Sequence, residues 1–129
     1  MELRRVVITG LGTINPLGNS VEEYFTNLNN GVSGAGPITR FDASLFKTRF
    51  ACEVKDFNPA AFGIDRKEAR KMDRFAQFAV VAADQAVADS KLDLEKINKK
   101  RVGVIVGSGI GGLSPACLMK ILKALPAVS

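Results

Sequence analysis

The sequence predicts an α/β fold with a layered sheet, and two observations support this prediction. Residues 6–9 and residues 102–106 are short β-branched runs with the unbroken apolar character of buried strands. Two helical patterns lie between these runs, so the predicted order is strand, helix, irregular segment, helix and strand. Because two strands alone do not form a stable sheet, the chain is short for this architecture.

The first predicted helix is marked at both ends. Ser20 followed by Glu23 forms a capping box, and Gly31 is a good glycine for the end of the helix. Four residues fall at helical spacing and predict one apolar face, namely Val21, Tyr24, Phe25 and Leu28.

The middle of the chain is irregular and then helical. Residues 32–63 contain scattered glycines, prolines and five phenylalanines, and we expect an ordered excursion with strand pieces near residues 50–54. Asp65 caps a long helix that we expect to run to about residue 89. The second half of this helix is rich in alanine, which predicts close neighbours on several sides.

Bulk composition indicates one ordered, basic domain. The chain has 129 residues, of which 47% are hydrophobic, so it can form a packed core and is too apolar for disorder. Its net charge of +5 favours acidic partners. The apolar run near the N-terminus is too short for a secretory signal, and no run approaches the length of a membrane span. We therefore expect a cytoplasmic protein that does not bind membranes.

A glycine cluster follows the second predicted strand. Gly107, Gly109 and Gly112 match the spacing G-x-G-x-x-G of a dinucleotide-binding loop. However, residues 113–129 contain no Asp or Glu to hold a ribose, and the Gly-Lys-Ser/Thr of a triphosphate loop is absent. We expect no cofactor. Two interpretations of the cluster remain. It is either a nucleotide-binding loop or a structural turn in which glycine allows close approach of the backbone to a neighbouring segment.

The long helix carries a stripe of basic residues. The stripe is either a solvated face with internal ion pairs or a patch that recognises an anionic partner. Nucleic acid is not expected, because no aromatic platform or recognition motif accompanies the charges. The stripe consists of Arg66, Lys67, Arg70, Lys71 and Arg74.

The cysteines predict no metal site. Cys52 and Cys117 lie far apart in no metal-type spacing, and the chain has no histidine. Both residues are expected to be free thiols in a reducing compartment. Cys52 is expected to be a small buried residue.

Three separated motifs carry a resemblance to a known family. In order, they are RRVVITGLGTINPLGNSVEEYFTNLNNGVSGAGPITRFDASLFKTRFACEVKDFNP, RKEARKMDRFAQFAVVAADQAVADS and RVGVIVGSGIGGL. Together they resemble the start of the β-ketoacyl-acyl-carrier-protein synthases, with the synthase II type nearest, over residues 4–113. The resemblance implies a partial thiolase-like layered α/β fold, the N-terminal part of a condensing-enzyme domain. It also implies fatty-acid elongation, in which an acyl thioester condenses with malonyl-acyl-carrier protein and CO₂ is released.

The same resemblance assigns roles to two groups of residues. Ile110, with Gly109 and Gly111, corresponds to a loop beside the acyl pocket, although a plain core position for Ile110 remains open. The acidic acyl-carrier protein and its phosphate-bearing arm are the implied partner. By resemblance the carrier-protein contacts are Lys67, Arg70 and Lys71.

The catalytic residues of the family do not appear in this chain. The family uses a cysteine nucleophile and two histidines, and this chain has no histidine and no matching setting around Cys117. We therefore assign no catalytic residue and expect the chain alone to be inactive. Residues 1–113 are interpreted as an incomplete synthase N-terminal region, and residues 114–129 as a divergent tail. The chain is then a truncated or frame-altered product or a fragment, and a genuine short relative remains an alternative. Full-length members are implied to be homodimers. The alternatives are a non-catalytic carrier-binding module and a nucleotide-binding domain.

Overall fold

A computed structural model of the protein describes residues 5–93, 95–109 and 112. It mixes helices with a small sheet. In chain order the elements are α1 (Val21–Asn29), β1 (Ala35–Pro37), β2 (Phe50–Cys52), α2 (Arg66–Ala69) and α3 (Arg74–Ser90). Single 3₁₀ turns at Pro59–Phe62 and Lys99–Arg101 complete the description.

Both predicted ends of α1 are confirmed. The Ser20 hydroxyl accepts a hydrogen bond from the Glu23 N–H at 3.1 Å. The Glu23 carboxylate returns to the Asn19 N–H at 2.7 Å, one residue earlier than a standard capping box. Gly31 has a φ of 67°, the left-handed conformation that ends a helix without a side-chain clash. The predicted apolar face is not buried, since Phe25 is 50% exposed.

The sheet consists of a single antiparallel pair. The predicted strand near residues 50–54 is confirmed as β2, and its partner β1 contains a proline. Both strands of a two-stranded sheet are edge strands. Proline is tolerated there because its nitrogen, which has no hydrogen to donate, need not face a partner strand. The register pairs Ala35 with Cys52, Gly36 with Ala51 and Pro37 with Phe50.

The prediction that residues 6–9 and 102–106 form buried strands is wrong for this structure. Neither run is a strand, and both are open to solvent: Val6 is 91% exposed and Ile105 is 98% exposed. A strand needs a neighbour for its N–H and C=O groups. In the part of the chain that the structure describes, the only sheet is β1–β2, and it reaches neither run.

The predicted helix over residues 65–89 is two helices. Asp65 caps α2 as expected, its carboxylate accepting the Lys67 N–H at 2.9 Å. The chain then turns, and Asp73 adopts an extended conformation with ψ of 155° immediately before α3. A residue in the N-cap conformation cannot also continue a preceding helix, so the pattern divides there.

The alanine-rich part of α3 packs closely against the N-terminal segment, but Ala83 and Ala88 are exposed, so the predicted close neighbours on several sides are found only in part. A Cβ atom on Gly10 or Gly12 would overlap the carbonyl oxygens of Ala86 and Ala82. Two backbone N–H groups of this segment also donate to α3 side chains: Leu11 to Asp89 at 2.9 Å and Thr13 to Gln85 at 3.0 Å.

The core lies between α3 and the segment that precedes α2. Phe57, Ile64 and Val81 form its buried centre. Phe57 stacks on Phe62 with ring centroids 5.5 Å apart and meets Phe78 edge-on at 4.8 Å. Packing of these rings confirms that part of the irregular segment is ordered, because aromatic contacts at these distances are stabilising.

Candidate functional site

The predicted partner-binding residues lie where α2 turns into α3. We define the basic corner as Arg66, Lys67, Arg70 and Lys71. The first two lie in α2, and Arg70 is the residue that ends it. The Lys71 N–H donates to the Glu68 carbonyl at 2.9 Å, which tightens this end of the helix. The structure therefore brings Lys67, Arg70 and Lys71 together within about one helical turn and its exit.

A buried glutamine holds the basic corner against α3. The Gln77 side-chain N–H₂ group donates to the Ala69 carbonyl at 2.7 Å and to the Met72 carbonyl at 3.1 Å. Only 8% of Gln77 is exposed. Because these two carbonyls flank Arg70 and Lys71, the glutamine fixes the backbone that carries the two cations. Sequence reasoning did not identify Gln77; the available signal was an amide, one of two glutamines in the alanine-rich helix.

The cations of the basic corner are exposed and are not consumed by internal ion pairs. Each of the four residues is solvent-exposed. Within residues 5–93, 95–109 and 112, the one ion pair closer than 4.0 Å joins Lys96 and Asp93 at 2.9 Å. Of the two interpretations of the stripe, a face neutralised by its own ion pairs is thus not supported.

Arg74, the fifth residue of the predicted stripe, does not belong to the basic corner. Its guanidinium carbon lies 5.2 Å from the centroid of the Phe57 ring and 5.5 Å from that of Phe78. Partial burial, and then the positive charge of Arg40, lower the pKa of Arg74 below its ordinary value. Arg74 therefore serves a different surface from the other four cations.

A groove lined by apolar residues and by Glu68, Lys71 and Asp84 borders the basic corner and was not predicted. It has a volume of about 530 Å³, and Lys71 lines one side of it. Its walls come from three separate elements, so no single periodic pattern in the sequence marks it. The apolar residues that line it are Phe62, Ile64, Met72 and Val80.

The glycine cluster is only partly described. Ile110 and Gly111, two of the three predicted acyl-pocket residues, lie outside the described residues. Gly109 is exposed, and a Cβ built on it would meet no atom within 4 Å. At Gly112 a Cβ would come 2.9 Å from the Phe75 ring, so the chain there passes closely by the start of α3. The acyl-pocket role of Gly109 stays a prediction.

Cys52 does not have the environment that was predicted for it. It is an exposed free thiol on the outward side of β2, where Ala51 takes the inward position. Side chains alternate along a strand, and the register places Cys52 on the open side. Cys117 lies outside the described residues.

The described residues form neither a metal-binding cluster nor a membrane-spanning helix. Within the part of the chain that the structure describes, no three His, Cys, Asp or Glu side chains cluster closely enough to hold a metal ion. In that same part, no helix has the length and apolar character needed to cross a bilayer.

Comparison with known proteins identifies the family. The domain described as "Beta-ketoacyl synthase, N-terminal domain" matches residues 3–124, which is most of the chain. The chain belongs to the β-ketoacyl synthase family. The match ends within residues 114–129, and the division between the synthase region and a divergent tail stays a prediction.

Related proteins and structures agree with this membership. The chain is 53% identical over 113 residues to the 3-oxoacyl-(acyl-carrier-protein) synthase 2 of Synechocystis sp., covering 88% of this chain and 27% of that protein. The ishigamide ketosynthase/chain length factor superposes with a TM-score of 0.62 at 49% identity, covering 69% of this chain and 22% of that one. The chain thus spans about a quarter of the length of the curated relative it matches.

A second solved structure that is similar to this chain contains a partner protein. It is a type II PKS acyl-carrier protein in complex with its ketosynthase, and the match has a TM-score of 0.52 at 26% identity over 71% of this chain and 23% of that one. The two superpositions show that the chain has part of a ketosynthase fold, which agrees with the resemblance seen in the motifs. None of these three relatives supports the nucleotide-binding alternative.

Proposed function

We propose that this β-ketoacyl synthase chain acts in fatty-acid elongation as the part of a condensing enzyme that receives the acyl-carrier protein. In the complete reaction, loss of CO₂ from a malonyl thioester leaves a carbanion that attacks an acyl thioester on the enzyme's cysteine, and the thiolate departs. The family membership supports this reaction class. The observation that supports carrier docking is the basic corner, an ordered group of exposed cations that form no ion pair with any described residue.

Charge complementarity gives the basic corner its role. An acidic carrier protein approaching it meets four exposed cations on one short segment, in a chain whose net charge is +5. Such patches speed association and select against wrongly charged partners. The neighbouring groove adds an apolar surface that an apolar side chain of the carrier can enter, with Met72 and Val80 on its walls.

Charge reversal in the basic corner tests this docking site. We expect Arg70→Glu combined with Lys71→Glu to weaken binding of acyl-carrier protein by about tenfold or more, because two attractive charges become repulsive. Titration calorimetry at low and moderate salt would measure the loss and its screening.

A matched variant separates local from overall charge. Lys99→Glu combined with Lys100→Glu changes the net charge equally, on an exposed 3₁₀ turn outside the basic corner. We expect it to retain nearly all of the affinity. Equal affinity of the wild type and the basic-corner variant would eliminate the docking proposal.

Catalysis is not proposed for this chain by itself. The sequence contains no histidine, so the two histidines that the resemblance implies are absent from it. Incubation with acyl-carrier thioester should leave its intact mass unchanged. Stable stoichiometric acylation of Cys52 or Cys117 would contradict this expectation and would show that the chain carries its own nucleophile. A chain that binds carrier without reacting corresponds to the non-catalytic carrier-binding module, and the same pair of experiments identifies it.

A further inference from the structure

A cleft lined by two arginines lies apart from the basic corner. It has a volume of about 540 Å³ and runs between the β1–β2 pair and the start of α3. Arg40, which follows β1, and Arg74, the first residue of α3, both line it. None of the four residues of the basic corner does. Apolar side chains, including Pro37, Val54 and Phe57, form another part of the wall.

Arg74 is held in place by aromatic contacts instead of by an acid. Its guanidinium lies over the rings of Phe57 and Phe78, 5.2 and 5.5 Å from their centroids. Stacking of this kind uses the flat face of the group, so the N–H groups along its edge are left to bind an acceptor. In the part of the chain that the structure describes, no carboxylate lies within 4.0 Å of either Arg40 or Arg74.

Within the described residues, the acidic residues of the cleft form no salt bridge with the arginines. Both oxygens of Glu53 accept from Thr39, one from its N–H at 3.1 Å and one from its hydroxyl at 2.6 Å. The cleft lining carries three cations, Arg40, Lys55 and Arg74, against the two carboxylates of Glu53 and Asp56. Arg40 is close enough that its charge contributes to lowering the pKa of Arg74. Arg40 also contributes to lowering the pKa of Glu53, so this carboxylate lies near it. In the described residues, however, the two arginine charges of the cleft form no ion pair within 4.0 Å.

We propose that this cleft binds a phosphate monoester, with the phosphate between Arg40 and Arg74 and the organic group against the apolar wall. A planar guanidinium fork matches two phosphate oxygens, and a dianion offsets both charges at once. The volume is in the range of small-molecule sites, about 300–1,000 Å³. The apolar wall gives the organic group a surface to cover, which inorganic phosphate alone would leave in water.

Titration of the full chain with phenyl phosphate tests the proposal. We expect saturable binding, followed by ³¹P NMR or calorimetry, and about tenfold weaker binding in Arg40→Gln and in Arg74→Gln. Inorganic phosphate should bind more weakly than phenyl phosphate. Equal affinities would overturn the monoester assignment in favour of a site for free phosphate, and absence of saturable binding would overturn the site altogether.

Two further variants keep the test decisive. Arg74→Lys retains the charge but loses the fork and should also bind phenyl phosphate more weakly, with an unchanged circular dichroism spectrum. If Arg74→Gln unfolds, Arg40→Gln carries the test, since Arg40 is exposed. Arg101→Gln removes the same charge on an exposed turn outside both the cleft and the basic corner, and it should leave the affinity unchanged. A loss equal to that of Arg40→Gln would indicate diffuse attraction and refute the site. Carrier binding should be unaffected in Arg40→Gln, so the two proposals succeed or fail separately.

Discussion

Replacing Gln77 by methionine removes the hydrogen bonds that hold the basic corner while keeping a side chain of similar length. The amide donates to the carbonyls of Ala69 and Met72 at 2.7 and 3.1 Å, and the residue is buried. An internal hydrogen bond contributes a net stabilisation of about 1 kcal/mol, so losing two should lower the free energy of unfolding by about 2 kcal/mol. Methionine fills the space flexibly, so little packing should be lost.

Urea unfolding monitored by circular dichroism measures this loss. Gln85→Met is the matched control, because Gln85 lies on the same helix and also makes two bonds, accepting from Thr13 at 3.0 Å and donating to the Asn19 carbonyl at 2.7 Å. Both variants should be destabilised by similar amounts. Only Gln77→Met should also weaken carrier binding, since only its bonds reach the basic corner.

Two results would refute this reasoning. Stability of Gln77→Met within about 0.5 kcal/mol of the wild type would show that the two carbonyls find other donors at no net loss. Equal effects of Gln77→Met and Gln85→Met on carrier affinity would show that the glutamine stabilises the domain generally and does not position the basic corner.

Two other changes have expected outcomes. Gly12→Ala should lower the unfolding free energy by about 1–3 kcal/mol, because its Cβ would overlap α3, whereas Gly103→Ala, where a Cβ meets nothing, should be nearly neutral in the same urea titration. Equal stability of the two variants would contradict the close approach. Hydrogen bonds from Thr39 hold the pKa of Glu53 below its ordinary value of 4.5, so this carboxylate stabilises the fold above that pH and the stabilisation is lost as the pH falls through the lowered pKa. Thr39→Val should therefore flatten the acid dependence of stability below about pH 4.5, and an unchanged slope would exclude the hydroxyl hydrogen bond as its source.

Features that depend on neighbouring residues along the chain were predictable from the sequence. The Ser20 cap, the left-handed Gly31 and the Asp65 cap all appear in the structure as expected. Each is decided within one helical turn, because a side chain either reaches the adjacent N–H or does not. The division of α2 from α3 is also local, but Asp73 gave no signal that distinguished an internal cap from an ordinary helix residue.

Features that depend on distant partners were not predictable in this way. The β-branched runs at residues 6–9 and 102–106 have the composition of strands, yet a strand exists only where another strand meets its backbone. The same reason applies to Cys52, whose exposure follows from the register of β2 against β1.

The sequence by itself determined the family and the absence of histidine from this chain. It also singled out Lys67, Arg70 and Lys71 as predicted carrier-protein contacts. Only the tertiary structure decided which cations lie together. It separated Arg74 from the other basic residues, because stacking on Phe57 and Phe78 turns its charge toward Arg40, a residue 34 positions earlier in the chain. Spacing along a helix predicts which side chains share a face of that helix. The groups that surround each charge depend on contacts between separate elements, which spacing does not predict.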